Sequence, residues 1–207
     1  AHRARFYQAS LRLADSAGVE WVREDAPPGG GDYRPEHWPA ATPVLGRFQT
    51  TLPPGLPPGP YTATLSLYTR DATSAPMVLG RVMITRPLAV PALPAGLRPV
   101  TATEGIAPLA LLGVGLDQPK LAPCETLGGV LFWEAVAKPM RPYRAAITLG
   151  HYQTAVTITP SFPPPRWRVG ERFATRFRLP VSCRAVDLKA PLQVRLLEAE
   201  EGPAGAR

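Results

Sequence analysis

WPAATPVLGRFQTTLPPGLPPGPYTATLSLY, residues 38–68, reads as a strand over 44–52, a proline-glycine turn, and a second strand over 61–68. In the second strand Tyr61, Ala63, Leu65 and Leu67 alternate with Thr62, Thr64, Ser66 and Tyr68. That is the period-two pattern of a strand with one face toward a core. The order returns in WRVGERFATRFRLPVSCRAVDLKAPLQVRLL, residues 167–197. Each copy has a Trp, a short polar step, an alternating strand closing on Leu-Pro, a turn, and another alternating strand. Two related antiparallel units are therefore expected.

Working outward, residues 5–14 alternate Tyr7, Ala9, Leu11 and Leu13 with polar neighbours, and Asp15-Ser16-Ala17-Gly18 turns them into a second strand at 19–25. Such a turn between alternating runs predicts a hairpin. APPGGGDYRPEH, residues 26–37, is an irregular connection. VLGRVMIT, residues 78–85, closes the first unit. Beyond Arg86, Pro87, Pro91, Pro94 and Pro99 break any period, which predicts a semi-rigid linker over 87–104. The second unit runs over 105–198, with strands at 106–116, 126–136, 143–149, 151–159 and 171–179, and 199–207 is a polar tail. RPYRAAITL (141–149) lies over RFYQASLRL (5–13) with Arg, Tyr, Ala and Leu matched in register. The expected architecture is all-β: two tandem antiparallel β-sandwiches of immunoglobulin-like topology, the first spanning 1–86. Two strands precede the match in the second unit and only four residues precede it in the first. The first sandwich is thus expected to lack its N-terminal strands, to be supplied by a longer precursor or donated by a neighbour.

The 207 residues are 45% hydrophobic with 27 prolines and 18 glycines spread between short runs, a globular β composition. A formal charge of +7 raises the question of nucleic acid. Yet arginine, twenty against three lysines, is scattered singly along strands, without a basic cluster or stacking platform. No nucleic-acid partner is expected. The longest apolar run, 106–116, is shorter than the roughly 20 residues of a membrane span.

No nucleophile-base pair, phosphate loop or metal-ligand spacing can be assembled. His2, His37 and His151 are far apart. No catalytic, cofactor or metal residue is expected, and the chain is read as a non-enzyme. Glu24, Asp25, Asp32 and Glu36 crowd one loop and would suit calcium, against the plainer reading of a solvated loop. Trp21, Tyr33, His37 and Trp38 are candidates for stacking on a sugar face. The recurrence of Trp38 at Trp167 argues instead for a shared packing role.

DSAG, PPGGGDYRPEHW with its Tyr-x-x-x-x-Trp spacing, the Leu-Pro close and PPGPYTATLSLY together resemble the β-sandwich modules attached to bacterial membrane glycosyltransferases of the dolichyl-phosphate-mannose mannosyltransferase-like kind. APCETLGGVLFW, residues 122–133, stands where such modules lead into an apolar strand with Trp, with Cys124 where glycine would be expected. The resemblance implies an extracytoplasmic, membrane-associated, non-catalytic accessory module that docks to a membrane-protein partner or to a missing membrane part. The catalytic membrane domain is absent. The alternative function is a carbohydrate-binding module. If strands 126–136 and 171–179 run antiparallel, as the second and fifth strands of such sandwiches do, Cys124 and Cys183 sit at one end. A disulfide there would close a loop of about 60 residues, worth roughly 4 kcal/mol, and would suit an oxidising compartment. Two buried free thiols are the other possibility.

Overall fold

The computed structural model describes residues 7–30, 33, 37–39, 41–98, 101–102, 108–118, 124–138, 141–182 and 191–199. Among these the protein is nearly all β, with eleven strands, no α-helix, and a 3-10 turn at Pro164–Arg166. The chain divides into two compact units, one of Ala1–Pro53 with Pro58–Thr85, the other of Pro54–Pro57 with Arg86–Arg207.

The first unit holds one antiparallel sheet. β1 (Gln8–Asp15), β2 (Glu20–Ala26), β3 (Gly59–Tyr68) and β4 (Met77–Ile84) lie in the order β2-β1-β3-β4. The Asp15–Gly18 turn forms because Asp15 organises it. Its Oδ1 accepts the backbone N–H groups of Ala17 (2.9 Å) and Val19 (3.0 Å), and its Oδ2 accepts the Trp21 indole N–H (3.1 Å). Three donors compensate the buried carboxylate. Gly18, at φ 78°, takes the left-handed position that closes the turn.

The expected strand over 44–52 is absent: those residues have no regular structure. Alternation alone does not hold a strand; a ladder partner must satisfy its backbone groups. The corresponding stretch of the second unit has that partner.

In the second unit β6 (Leu109–Leu116), β7 (Thr126–Ala135) and β10 (Arg172–Pro180) form a sheet of order β10-β7-β6. The other sheet, β5-β11-β8-β9, combines β5 (Thr101–Ala102), β11 (Leu192–Glu198), β8 (Tyr143–Leu149) and β9 (Tyr152–Thr157). One core draws on both sheets: Leu127, Leu131, Trp133, Phe173, Phe177 and Leu179 from the first, Ala145, Ile147, Leu149 and Val194 from the second. Phe173 stands opposite Trp133 and Phe177 opposite Gly129. A Cβ on Gly129 would come within 2.7 Å of the Phe177 ring and of the Gly115 carbonyl, so only glycine lets that ring lie flat against the sheet.

Residues 87–98, the described part of the stretch before β5 that the sequence reads as a linker over 87–104, group with the second unit, and so does Arg86. The Arg86 guanidinium bonds Glu171 at 2.7 Å and the Arg166 carbonyl at 2.7 Å, and lies 5.4 Å from the centre of the Phe162 ring. Arg98 and Val114 exchange backbone hydrogen bonds of 2.9 and 3.1 Å. Pro87, Pro91 and Pro94 limit the conformations available to this stretch, and these contacts fix which one is used.

Candidate docking surface

Ladder pairing sorts the first sheet into two faces. One carries the rows Ala26-Ala9-Leu67, Glu24-Leu11-Leu65-Met77, Val22-Leu13-Ala63-Gly80 and Asp15-Tyr61-Val82. The other carries Ser10, Arg12, Thr62, Thr64 and Ser66. Such a division prepares the apolar face for burial. Burial is achieved only in part. Ala9, Leu13, Val22 and Tyr61 are buried, whereas Leu67, Met77 and Val82 are 41%, 57% and 43% exposed, and Leu11 and Leu65 are half-buried.

The second unit shows what full burial looks like at the same positions. Overlaying β1 on β8 matches Tyr7 with Tyr143, Leu11 with Ile147 and Leu13 with Leu149. The ladders then match Leu65 with Val194. Tyr143, Ile147 and Val194 all lie in the core. Tyr7 is 37% exposed where Tyr143 is 8% exposed.

β4 adds to the uncovered surface. Met77, Val78, Leu79, Val82 and Met83 are all exposed along a sheet edge, with a bulge where β4 pairs with β3 near Ala63/Thr64. Bulges of this kind discourage indiscriminate edge pairing. Sequence reading placed this strand but missed its role; the available signal was that VLGRVMIT is apolar at both parities, unlike a strand with one solvated face.

The stacking candidates separate. Trp21 is 5% exposed with its indole N–H engaged by Asp15, so its ring is not offered to a ligand. Tyr33 and Trp38 come together, ring centroids 6.4 Å apart and tilted by 41°, and the Trp38 indole N–H donates to the Tyr33 carbonyl at 3.0 Å. In the second unit the Trp167 indole N–H donates to the Phe162 carbonyl at 2.7 Å, again five residues back. The repeated Trp thus fastens the same kind of loop in both units. Val44 belongs to the first fastening, since a Cβ on Gly29 would meet its side chain at 2.8 Å and that of Trp38 at 3.3 Å. His37 is exposed.

Of the calcium candidates, Asp25 pairs with Arg23 at 2.9 Å, and Asp32 and Glu36 lie outside the described residues. Among the described residues no group of three metal-binding side chains occurs. Cys124 is disulfide-bonded, and its backbone N–H meets the Ser182 carbonyl at 3.4 Å. Cys183, the expected partner, lies outside the described residues. β7 and β10 do run antiparallel with Thr126 opposite Pro180, the arrangement that the pairing argument required. Cys124 has φ 68°, in the left-handed region that favours glycine.

A pocket of about 160 Å³ lies among Arg86, Leu88, Val90, Arg168, Val169 and Glu171. It is smaller than the several hundred Å³ typical of ligand sites, and its principal charged pair, Arg86 with Glu171, is self-satisfied. The one strongly perturbed phenol of the first unit is Tyr61, raised above its ordinary pKa by burial first and by the nearby Asp15 carboxylate second. Both effects keep it protonated, which suits packing. No protein-family model matches the chain, and no curated protein matches it.

Proposed function

We propose that this chain is a non-catalytic accessory module that docks to a protein partner through the uncovered apolar side of its first sheet. The observation that carries the reading is the exposure of Leu67, Met77 and Val82 beside Leu11 and Leu65, whose counterparts Ile147 and Val194 lie in a core. On this reading the second unit is a complete immunoglobulin-like sandwich and the first presents one layer of the same fold. Contiguous exposed apolar surface of this kind marks interaction sites. The Cys124 disulfide supports an oxidising, extracytoplasmic setting. The resemblance to glycosyltransferase-attached modules supports a membrane protein, or a membrane part of the same precursor, as the partner.

A photo-crosslinking amino acid at position 67, introduced in the native host, tests this. Docking predicts a discrete protein adduct from position 67 and none from position 144, an exposed site on β8. Equal labelling from both positions would overturn it. The carbohydrate reading keeps one supporting observation, the partly exposed Tyr33-Trp38 pair. Titration with oligosaccharides, following Trp fluorescence with Trp38→Phe as control, separates it: saturable quenching lost in the variant would favour sugar.

A further inference from the structure

The uncovered face also specifies the shape of what covers it. In the second unit, Tyr143, Ile147 and Val194 are buried together with β6, β7 and β10 residues in one core. Of those three strands, β10 is the stretch that follows Trp167, and its ladder partner is β7 through nine residue pairs, Arg172 with Glu134 to Pro180 with Thr126. The first unit retains the Trp, its indole hydrogen bond and the following stretch 44–52, but that stretch pairs with nothing regular. The first unit therefore presents a floor of β1 and β3 side chains and one unpaired chain segment. The missing layer corresponds to β6 and β7, an antiparallel pair.

We infer that the partner contributes a two-stranded antiparallel hairpin, one strand pairing with residues 44–52 as β7 pairs with β10, its apolar side chains seated on Tyr7, Leu11, Leu65 and Leu67. This rests on the docking reading and deepens it. The hairpin alternates bulky aliphatic residues on the inward face, as β6 and β7 do at Leu109, Val114, Leu127 and Leu131. It carries a basic side chain as well. Glu24 lies on the apolar face in register with Leu11 and Leu65, is partly buried, and makes no ion pair among the described residues; a cation opposite it removes an uncompensated charge from the interface. The inter-sheet interface of the second unit is the same interface in finished form. Backbone pairing supplies affinity and the alternating side chains supply register, the strand-addition mode of recognition.

The probe is the chain's own hairpin, residues 106–137 with Cys124→Ser, fused ahead of residue 1 through a Gly-Ser linker that holds it at millimolar effective concentration. Amide hydrogen exchange is read peptide by peptide. The inference expects exchange in 44–52 to slow at least tenfold, and expects that protection to vanish when Leu65 and Leu67, neither of them fully buried, are changed to Asp. Unchanged exchange at 44–52 in the fusion overturns the hairpin while leaving a position-67 adduct, and hence docking, intact. Protection that survives the Asp variants also overturns it. Light scattering on the unfused chain supplies the last arm: a dimer that dissociates in Leu67→Asp would assign the face to a second copy instead.

Discussion

Leu11 and Ile147 hold the same place in two sheets of the same order, β2-β1-β3 and β9-β8-β11, yet Leu11 is half-buried and Ile147 fully buried. The local sequence does not account for the difference, since Arg, Tyr, Ala and Leu recur in register around both. What differs is the layer opposite. The second unit supplies β6, β7 and β10; among its described residues the first supplies only an irregular segment at 44–52. Burial is thus a property of the pair of layers, and a sheet correctly built from its own sequence can remain half-finished. Trp38 and Trp167 make the same point: both donate an indole hydrogen bond to the carbonyl five residues back, but only Trp167 is in a core, stacked 4.5 Å from Phe173.

The largest effect that could break this comparison is Trp→Ala at the two positions. Trp167→Ala should cost about 3–5 kcal/mol, the range for a large aromatic deleted from a core, and Trp38→Ala about 1 kcal/mol or less. Guanidinium unfolding followed by circular dichroism reads both, and equal losses would mean that the two tryptophans are equally structural. Next is the disulfide, which only the second unit carries. Reduction should cost about 2–4 kcal/mol by freeing the unfolded chain, seen as a lower thermal midpoint that Cys124→Ser reproduces and that reductant does not lower further.

The third test sharpens the first unit. Because Tyr61 keeps its proton above the ordinary phenol pKa of about 10, pushed up by burial and by Asp15, the unfolded chain binds fewer protons than the folded one once pH passes 10. Stability contributed below that pH is then lost as pH rises, at up to about 1.4 kcal/mol per pH unit. Tyr61→Phe should flatten this part of the pH profile measured by urea unfolding; an unchanged slope would place the titration elsewhere. The smallest effect belongs to the finished core. Thr175 is buried, and its hydroxyl has no hydrogen-bond partner among the described residues. Thr175→Val removes that orphaned group and should stabilise the second unit by up to about 1 kcal/mol, visible as a raised denaturant midpoint with unchanged slope.

The hairpins were legible from the sequence because their turns carry their own chemistry: Asp15 and Gly18 specify β1-β2 without reference to anything distant. The repeat was legible because its matched residues face a core in one copy. The strand expected at 44–52 failed because pattern reports what a segment would do if paired and says nothing of whether a partner is there. Trp21 read as an exposed ring, but Asp15, six residues earlier, holds its indole, a contact that periodicity cannot signal. The two-residue β5 was hidden among prolines, since its parallel pairing with Gln193 and Val194 comes from distant chain. The docking face was half visible: alternation identified it, but only three-dimensional exposure showed which part stays open.

β4 carries two thioethers, Met77 and Met83, at 57% and 66% exposure. An oxidant that reaches the uncovered chain meets both sulfurs without any unfolding, and each sulfoxide replaces a soft apolar tip with a polar one. Chemical ageing should therefore strike this edge early, and Met77, which shares its row with Leu65, Leu11 and Glu24, would lose its apolar character there. A partner seated over that row would shelter Met77 from peroxide, so the sulfoxide content at residue 77 keeps a covalent record of how long the surface has stood bare.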